Sequence, residues 1–315
     1  MDTPEKKRVY VIINPVSGTK SKKSIPQKLL AIDALKYDVH MIMTRYEGHA
    51  TQIALEAVND KVDCVIAVGG DGTINEVAKV LVNTDVVFGI IPSGSGNGLA
   101  RDLYIPMNYD KAIEIIQQGN VKRIDYGVAN GNIFFCTCGV GFDAQVSEKA
   151  LTQTSRGKLM YAKNMVSTFY KFKPEKYKIE SADGVFEEEA FLITCANASQ
   201  YGNNAYIAPQ ADIQDGKMNI SILKPLSVAN VPQTAIQMFS RNLGNNSKLI
   251  EILTPEATIF REKEGVMHLD GNAIYTGSEI HVKIIHQGLN VLVPREVPKS
   301  KLKKDAFITN ITRWI

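Results

Sequence analysis

The sequence predicts an α/β N-terminal domain built on a parallel, doubly wound sheet, followed by a C-terminal antiparallel β-sandwich. Three observations carry this expectation. In the first third, the runs 9–13, 62–68 and 86–91 are apolar apart from Asp63, the pattern of strands covered on both faces. Helix-compatible stretches separate those runs, the alternation that builds parallel βαβ units. From about Arg123 onward β-like segments follow one another, punctuated by the turn dipeptides Asn130-Gly131, Asp183-Gly184 and Asp215-Gly216.

Taken in order, the strand at 9–13 ends in Asn14-Pro15, and a polar loop over 17–24 leads to a helical stretch near 26–35. A strand at 38–43 precedes an amphipathic helix at 47–58. The strand at 62–68 runs through Gly69-Gly70-Asp71-Gly72-Thr73 into a helix over 74–82, with Asp71 at the tip of the glycine-rich turn. The strand at 86–91 is followed by a second glycine-rich loop, Pro92-Ser93-Gly94-Ser95-Gly96-Asn97-Gly98. Beyond a boundary near residue 125, segments 132–138, 176–181, 186–195, 217–223 and 257–262 read as strands, interrupted by helical insertions near 158–170 and 229–241. No internal repeat or low-complexity segment is present.

Bulk properties narrow the function. The chain has 315 residues, 44% hydrophobic and 22% charged, which suits a globular protein with a substantial core. A net charge of +3 supplies no global basic field for nucleic acid. The polar start Met1 to Lys7 is not a signal peptide, and no apolar run approaches the roughly 20 residues that span a bilayer. The expectation is therefore a cytoplasmic protein that touches membranes at most peripherally. Cys64, Cys136, Cys138 and Cys195 lie in apolar settings and read as buried, reduced thiols. The five histidines form no metal-ligand spacing, and His281 and His286 bracket a Val- and Ile-rich strand.

The two glycine-rich loops carry the chemistry. A turn between a buried strand and a helix lets backbone N–H groups face a phosphate. Asp71 adds an acid among those donors, which points to a nucleotide-phosphate site with a metal or acid–base task. In the second loop glycines permit close approach, while Ser93, Ser95 and Asn97 add polar contacts. Both loops directly follow apolar strands, where open α/β sheets bind ligands, so both can line one crevice.

With these residues on the page, the chain resembles the diacylglycerol kinase and sphingosine kinase family of lipid kinases. The matching segments are Asn14-Pro15-Val16-Ser17-Gly18, Gly69 to Glu76, Pro92 to Asn97, Gly139-Val140-Gly141-Phe142-Asp143-Ala144, Ala208 to Lys217 and His268-Leu269-Asp270-Gly271. They run in order over nearly the whole chain. The resemblance implies a nucleotide-binding domain at 1–125, a lipid-binding sandwich at 126–289, and a last segment, about 290–315, that returns to the first domain. It implies ATP and Mg²⁺ as cofactors, with ATP held in the cleft by Asn14, Pro15, Ser17, Gly18, Thr44, Gly70, Asp71, Gly72, Thr73, Asn75, Glu76, Ser93, Gly94, Ser95 and Asn97.

The resemblance assigns catalytic roles to Asp71, acting through Mg²⁺ or as a base, and to the segment at Asp270. Asp215, with the backbone carbonyls of Asp212 and Lys217, matches a magnesium site of bacterial relatives, an oxygen set suited to a hard cation. The alternative is that Asp215-Gly216 is only a hairpin turn. The sequence departs from the family at Asn272, where the family usually has glutamate as the proposed proton acceptor. An amide orients a hydroxyl but takes up no proton at neutral pH. Either Asp71 or Asp270 then takes the proton, or this member is weakly active or uses an unusual acceptor, or it is a lipid-binding regulatory relative. The second loop leans toward sphingosine kinases and Gly139 to Ala144 toward bacterial diacylglycerol kinases, so both acceptors stay open. NAD kinase, which carries a similar Gly-Gly-Asp-Gly-Thr loop, is the competing enzyme class. The expected partner is a lipid substrate at a membrane surface; no nucleic acid is expected, and a homodimer is one option. The basic residues Lys20, Lys22, Lys23, Lys299, Lys301, Lys303 and Lys304 are either solvated or drawn to anionic headgroups. The stretch 158–170 lines an acyl pocket or packs on the sandwich.

Overall fold

The computed structural model describes residues 6–18, 22, 24–30, 36–151 and 167–296. Strands β1 (Lys7–Ile13), β2 (Tyr37–Met43), β3 (Cys64–Gly69) and β4 (Val87–Pro92) run parallel in the order β2-β1-β3-β4. Helices α1 (Ser24–Leu30), α2 (His49–Asn59) and α3 (Asp71–Leu81) connect them. The chain moves one way from β1 to β2 and the other way from β2 to β3. Right-handed crossovers therefore put α1 on one face and α2 and α3 together on the other. Two further helices follow β4, α4 (Gly98–Asp102) and α5 (Tyr109–Gln118), and α5 packs beside α1. Local chemistry sets the ends of α5: the Asn108 side chain accepts from Lys111 N at 3.1 Å, and Gly119 stops the helix at φ +63°. The continuous apolar runs are buried between these helix layers, with Val11, Ile12, Val65, Val68 and Ile91 fully covered.

The second half contributes β5 (Val121–Ala129), β6 (Asn132–Phe134), β7 (Thr137–Gly141), α6 (Phe142–Leu151), β8 (Glu175–Ser181), β9 (Gly184–Ala190), β10 (Leu192–Ala196), β11 (Gln200–Gly202), β12 (Ala205–Tyr206) and β13 (Met218–Leu223). Then come α7 (Val231–Phe239), β14 (Leu249–Thr254), β15 (Glu256–Arg261), β16 (Gly265–Leu269), β17 (Asn272–Thr276) and β18 (Glu279–Leu292). Among the described residues β14-β13-β10-β7-β16-β17 form an antiparallel sheet of six strands. It faces β18, β15 and β8 across a core in which alternate residues meet. Val140, Ile193, Cys195, Met218 and Ile220 come from one side and Tyr177, Ile179, Ile259, Ile280 and Val282 from the other. On the outer face of the six-stranded sheet, Phe142 and Val146 of α6 pack with Phe191, Leu192 and Leu223 in a further apolar cluster, against which Met238 of α7 also packs.

The sandwich is not a detached second body. Its sheet continues into the parallel one through β18, which pairs antiparallel with β15 and β5 and, at Val291, parallel with Phe88 of β4. The strand bends at an irregularity between Ile285 and Leu289, where Gln287 takes φ +52°. The residue-125 boundary thus falls inside β5, and the expected return of the chain near 290 falls inside β18.

Three local expectations are corrected. The helix after the first glycine-rich turn starts at Asp71 rather than Ile74, so Asp71 is its first residue and not a loop tip. Residues 186–195 are two strands in two sheets, because the chain changes sheets at Phe191. Residues 132–138 are also two strands, since the N–H groups of Phe135, Cys136 and Thr137 turn toward the Asp270 carboxylate instead of a neighbouring strand. No helix among the described residues is long and apolar enough to cross a membrane. All four cysteines are unpaired, and Cys136, Cys138 and Cys195 are buried. Lys20, Lys23, residues 158–166 and the basic C-terminal stretch lie outside the described residues.

Candidate active site

The strand order reverses between β1 and β3, and the crevice at such a switch point is where open α/β sheets take ligands. Three loops meet there and are laced together. Asn14, just past β1, places its backbone N–H on Val68 O at 2.9 Å and donates its side-chain amide to Thr73 Oγ1 at 2.8 Å. Ser17 Oγ donates to Asn14 O at 3.1 Å. Thr44, at the end of β2, donates its N–H to Ile13 O at 2.9 Å. Ser93 N donates to Gly69 O at 2.6 Å, and Ser93 Oγ hydrogen-bonds Tyr109 OH at 2.8 Å.

The glycines are needed for backbone contact. A Cβ on Gly94 would lie 2.7 Å from Gly70 Cα, and one on Gly18 would overlap Ser93 O at 1.7 Å. Asn97, at φ +52°, folds its amide back to accept from Gly94 N at 2.9 Å and donate to Gly94 O at 2.7 Å. Pro15, Gly72 and Ser95 are exposed at the rim, while Thr73, Asn75, Ser93 and Asn97 are buried beneath it. Glu76 is half-buried on α3.

Two carboxylates dominate, and they are held differently. Asp71 Oδ2 accepts Asn97 N at 2.8 Å and Oδ1 accepts Gly98 N at 2.7 Å, so Asp71 caps the start of α4 from another element. One acceptor position on each oxygen stays free. Asp270 sits in the tight turn from β16 to β17 at φ +49°, followed by Gly271 at φ +82°. Its Oδ1 accepts Cys136 N at 2.7 Å and Thr137 N at 3.0 Å; its Oδ2 accepts Phe135 N at 2.8 Å and Asn75 Nδ2 at 3.1 Å. Four donors fill its four acceptor positions. Burial pushes the Asp270 carboxyl above its ordinary value, opposed by those backbone N–H groups and by Lys79. Asn75 stands four residues after Asp71 on one face of α3, which sets Asp270 beside the Asp71 crevice. Asn272 is exposed, opposite Leu269 at the start of β17.

The second glycine loop also touches the sandwich. Gly96 O accepts Arg101 Nε at 2.8 Å and Asn203 N at 3.3 Å, and Asp102 holds Ser199 N at 2.9 Å. Beneath this contact lies a buried polar group to which the sequence motifs assigned no role. Asp143 Oδ2 meets His268 Nε2 at 3.0 Å, Thr194 Oγ1 at 2.9 Å and Tyr201 OH at 2.9 Å. His268 is 1% exposed, and its Nδ1 has no hydrogen-bond partner. Asp143 and His268 stand inside two of the matching segments, the signal that could have singled them out.

The turn from Asp212 to Lys217 lies apart from the loops, tied to β5 and β18. The fully buried Asp125 carboxylate accepts Gly216 N at 2.7 Å, His286 Nδ1 at 2.9 Å and Gln287 N at 2.6 Å. Asp215-Gly216 leads into β13 without joining two paired strands, so it is not a hairpin turn. Desolvation pushes the Asp215 carboxyl up, and the neighbouring Asp212 and Asp125 add to this. Among the described residues no three His, Cys, Asp or Glu side chains gather to hold a metal. A cation at this turn would rest on the Asp215 carboxylate and main-chain oxygens, and the surplus negative charge fits one.

Comparison with known proteins agrees with this geometry. Residues 8–129 match the diacylglycerol kinase catalytic domain, and residues 136–293 match the YegS C-terminal NAD kinase beta sandwich-like domain. The chain belongs to the diacylglycerol kinase and YegS-type family of lipid kinases, phosphotransferases with an alcohol acceptor. It is 28% identical over 298 residues to a diacylglycerol kinase of Bacillus subtilis, covering 92% of this chain and 97% of the relative. The fold is shared with the crystal structure of a diacylglycerol kinase from Bacillus anthracis, with TM-score 0.73 and 23% identity over 92% of this chain and 98% of that one. A more distant fold neighbour is an NAD kinase from Archaeoglobus fulgidus in complex with ATP, with TM-score 0.54, 13% identity, and 94% and 98% coverage.

Proposed function

We propose that this protein transfers the γ-phosphate of ATP, with Mg²⁺, to a lipid hydroxyl, and that the acceptor is diacylglycerol. The observation that carries the mechanism is the contrast between the two carboxylates. Asp270 has every acceptor position filled, whereas Asp71 keeps one free on each oxygen. Asp71 is therefore the group that can engage a phosphate-bound cation or the acceptor proton, and Asp270 is a positioning residue that holds α3 against the sandwich.

Phosphoryl transfer depends chiefly on positioning and on charge stabilisation, so a missing glutamate at 272 does not remove the reaction. Asn14, Pro15, Ser17, Gly18, Thr44, Gly70, Gly72, Thr73, Asn75, Glu76, Ser93, Gly94, Ser95 and Asn97 build and line the nucleotide crevice. Mg²⁺ would neutralise phosphate charge there. A second, structural Mg²⁺ would rest on Asp215 and the main-chain oxygens of Asp212 and Lys217. The acceptor reading is supported by the names of the relatives and by the polar group at Asp143, which stands between the second glycine loop and an apolar, aromatic cluster. That sequence of surfaces suits a molecule with a polar head and an apolar tail.

The test is ATP phosphotransfer to diacylglycerol, sphingosine, ceramide and NAD, with Asp71→Ala as control. Label appearing on diacylglycerol and lost in the control is the expected result. Label on NAD would sink the lipid reading, and lipid binding without transfer to any acceptor would favour the regulatory one that Asn272 motivates.

A further inference from the structure

We propose that α7 is a membrane-docking surface, and that its exposed apolar face lies on an anionic lipid bilayer. The inference rests on the lipid-kinase reading for the location of the substrate, but it is drawn from the helix itself. A surface helix normally buries one apolar face and shows water a polar one. Helix α7 has apolar groups on both. Its inner side packs down through Thr234, which is buried, and Met238, which lies on the outer apolar cluster of the six-stranded sheet. Its outer side carries Pro232, Ala235, Ile236 and Phe239, spaced as one stripe, with Ile236 69% and Phe239 60% exposed. Val228 extends the stripe just before the helix at 63% exposure. No residue of α7 is charged.

The stripe is held in place. Asn246 reaches back to Thr234 Oγ1 at 3.1 Å and Gln237 Oε1 at 2.7 Å, and the Arg241 guanidinium stacks over Tyr206 at 4.1 Å. The apolar face is thus presented by a fixed element.

Charge identifies the occupant. Residues 218–250 contain Lys224, Arg241 and Lys248 and no acidic residue. Lys224 and Lys248 meet at the base of the excursion through a backbone hydrogen bond of 2.9 Å. Of the acids that face this region from other strands, Glu188 is paired with Lys224 at 3.2 Å and Glu251 lies beneath Gly244. An apolar stripe with a basic surround matches an anionic bilayer, which accepts the side chains and attracts the rim. A second copy of this chain would set two basic rims against each other. The position also suits the chemistry, because Met238 of α7 packs on the apolar cluster that includes Phe142, next to Asp143.

The test uses the full chain in co-sedimentation with phosphatidylcholine vesicles, with and without phosphatidylglycerol. The parent protein is expected to bind the anionic vesicles, less so as salt rises. The double substitution Ile236→Ser with Phe239→Ser is expected to lower the bound fraction about tenfold. Transfer to detergent-dispersed, short-chain diacylglycerol should be unchanged, since both side chains are exposed and far from the loops in sequence. Lys248→Gln should weaken binding only to the anionic vesicles. Equal vesicle binding by parent and double variant overturns the proposal, as does a parent that ignores anionic vesicles. A double variant that loses self-association but still binds vesicles makes the stripe a dimer contact and also overturns it. A parent that docks through α7 yet phosphorylates no diacylglycerol upholds the surface and removes the diacylglycerol reading instead.

Discussion

Asp71 and Asp270 are both acids at one crevice, and their hydrogen bonding differs: Asp270 is saturated, whereas Asp71 keeps free acceptor positions. Replacing Asp270 by Asn keeps the shape but turns an acceptor into an NH₂ that faces backbone donors. Asp270→Asn should therefore lower stability by about 2–3 kcal/mol, read from the urea midpoint, whereas Asn75→Ala should cost about 1 kcal/mol. Asp71→Asn should instead reduce kcat by about 10²- to 10⁴-fold, with a smaller change in stability. Asn272→Glu tests the same assignment from the other side. If Asp71 already serves the acceptor hydroxyl, restoring the family's glutamate leaves kcat/KM with diacylglycerol unchanged; a large gain would transfer the role to position 272.

At the scale of elements, the site exists because glycine loops touch backbone to backbone. A Cβ on Gly96 would stand 2.7 Å from Asp71 Oδ2. Gly96→Ala should thus displace the carboxylate and lower kcat about tenfold or more while leaving the thermal midpoint within a few degrees of the parent. The elements also show how far local pattern reaches. The apolar runs and amphipathic stretches located β1 to β4, α2 and α3 to within a few residues, because burial on both faces writes itself into composition. The breaks at Phe135 and Phe191 were not legible. Each depends on a partner distant in sequence, Asp270 for the first and the opposite sheet for the second.

At the scale of the molecule, β18 makes the two halves share one sheet, and buried thiols report on its opening. Burial raises Cys136 and Cys138 well above the ordinary 9.0, with the carboxylate of Asp270 adding to the shift in both. The folded state holds these protons after the unfolded chain has released them. Their contribution to stability is complete below about pH 9 and is lost as pH rises beyond it. The urea midpoint should fall between about pH 8 and about pH 10, and native protein should leave these thiols unlabelled by an aromatic disulfide until it unfolds.

The sequence by itself determined the class of fold, the two glycine loops and the resemblance to lipid kinases. Those features are local: apolar period, turn residues and short motifs are properties of neighbours along the chain. It left open which of Asp71 and Asp270 keeps free acceptor positions, did not bring Asp143 and His268 together, and showed α7 only as a helical insertion. Tertiary structure decided these points, because hydrogen-bond saturation, burial and exposure depend on which distant segments fill the space around a side chain.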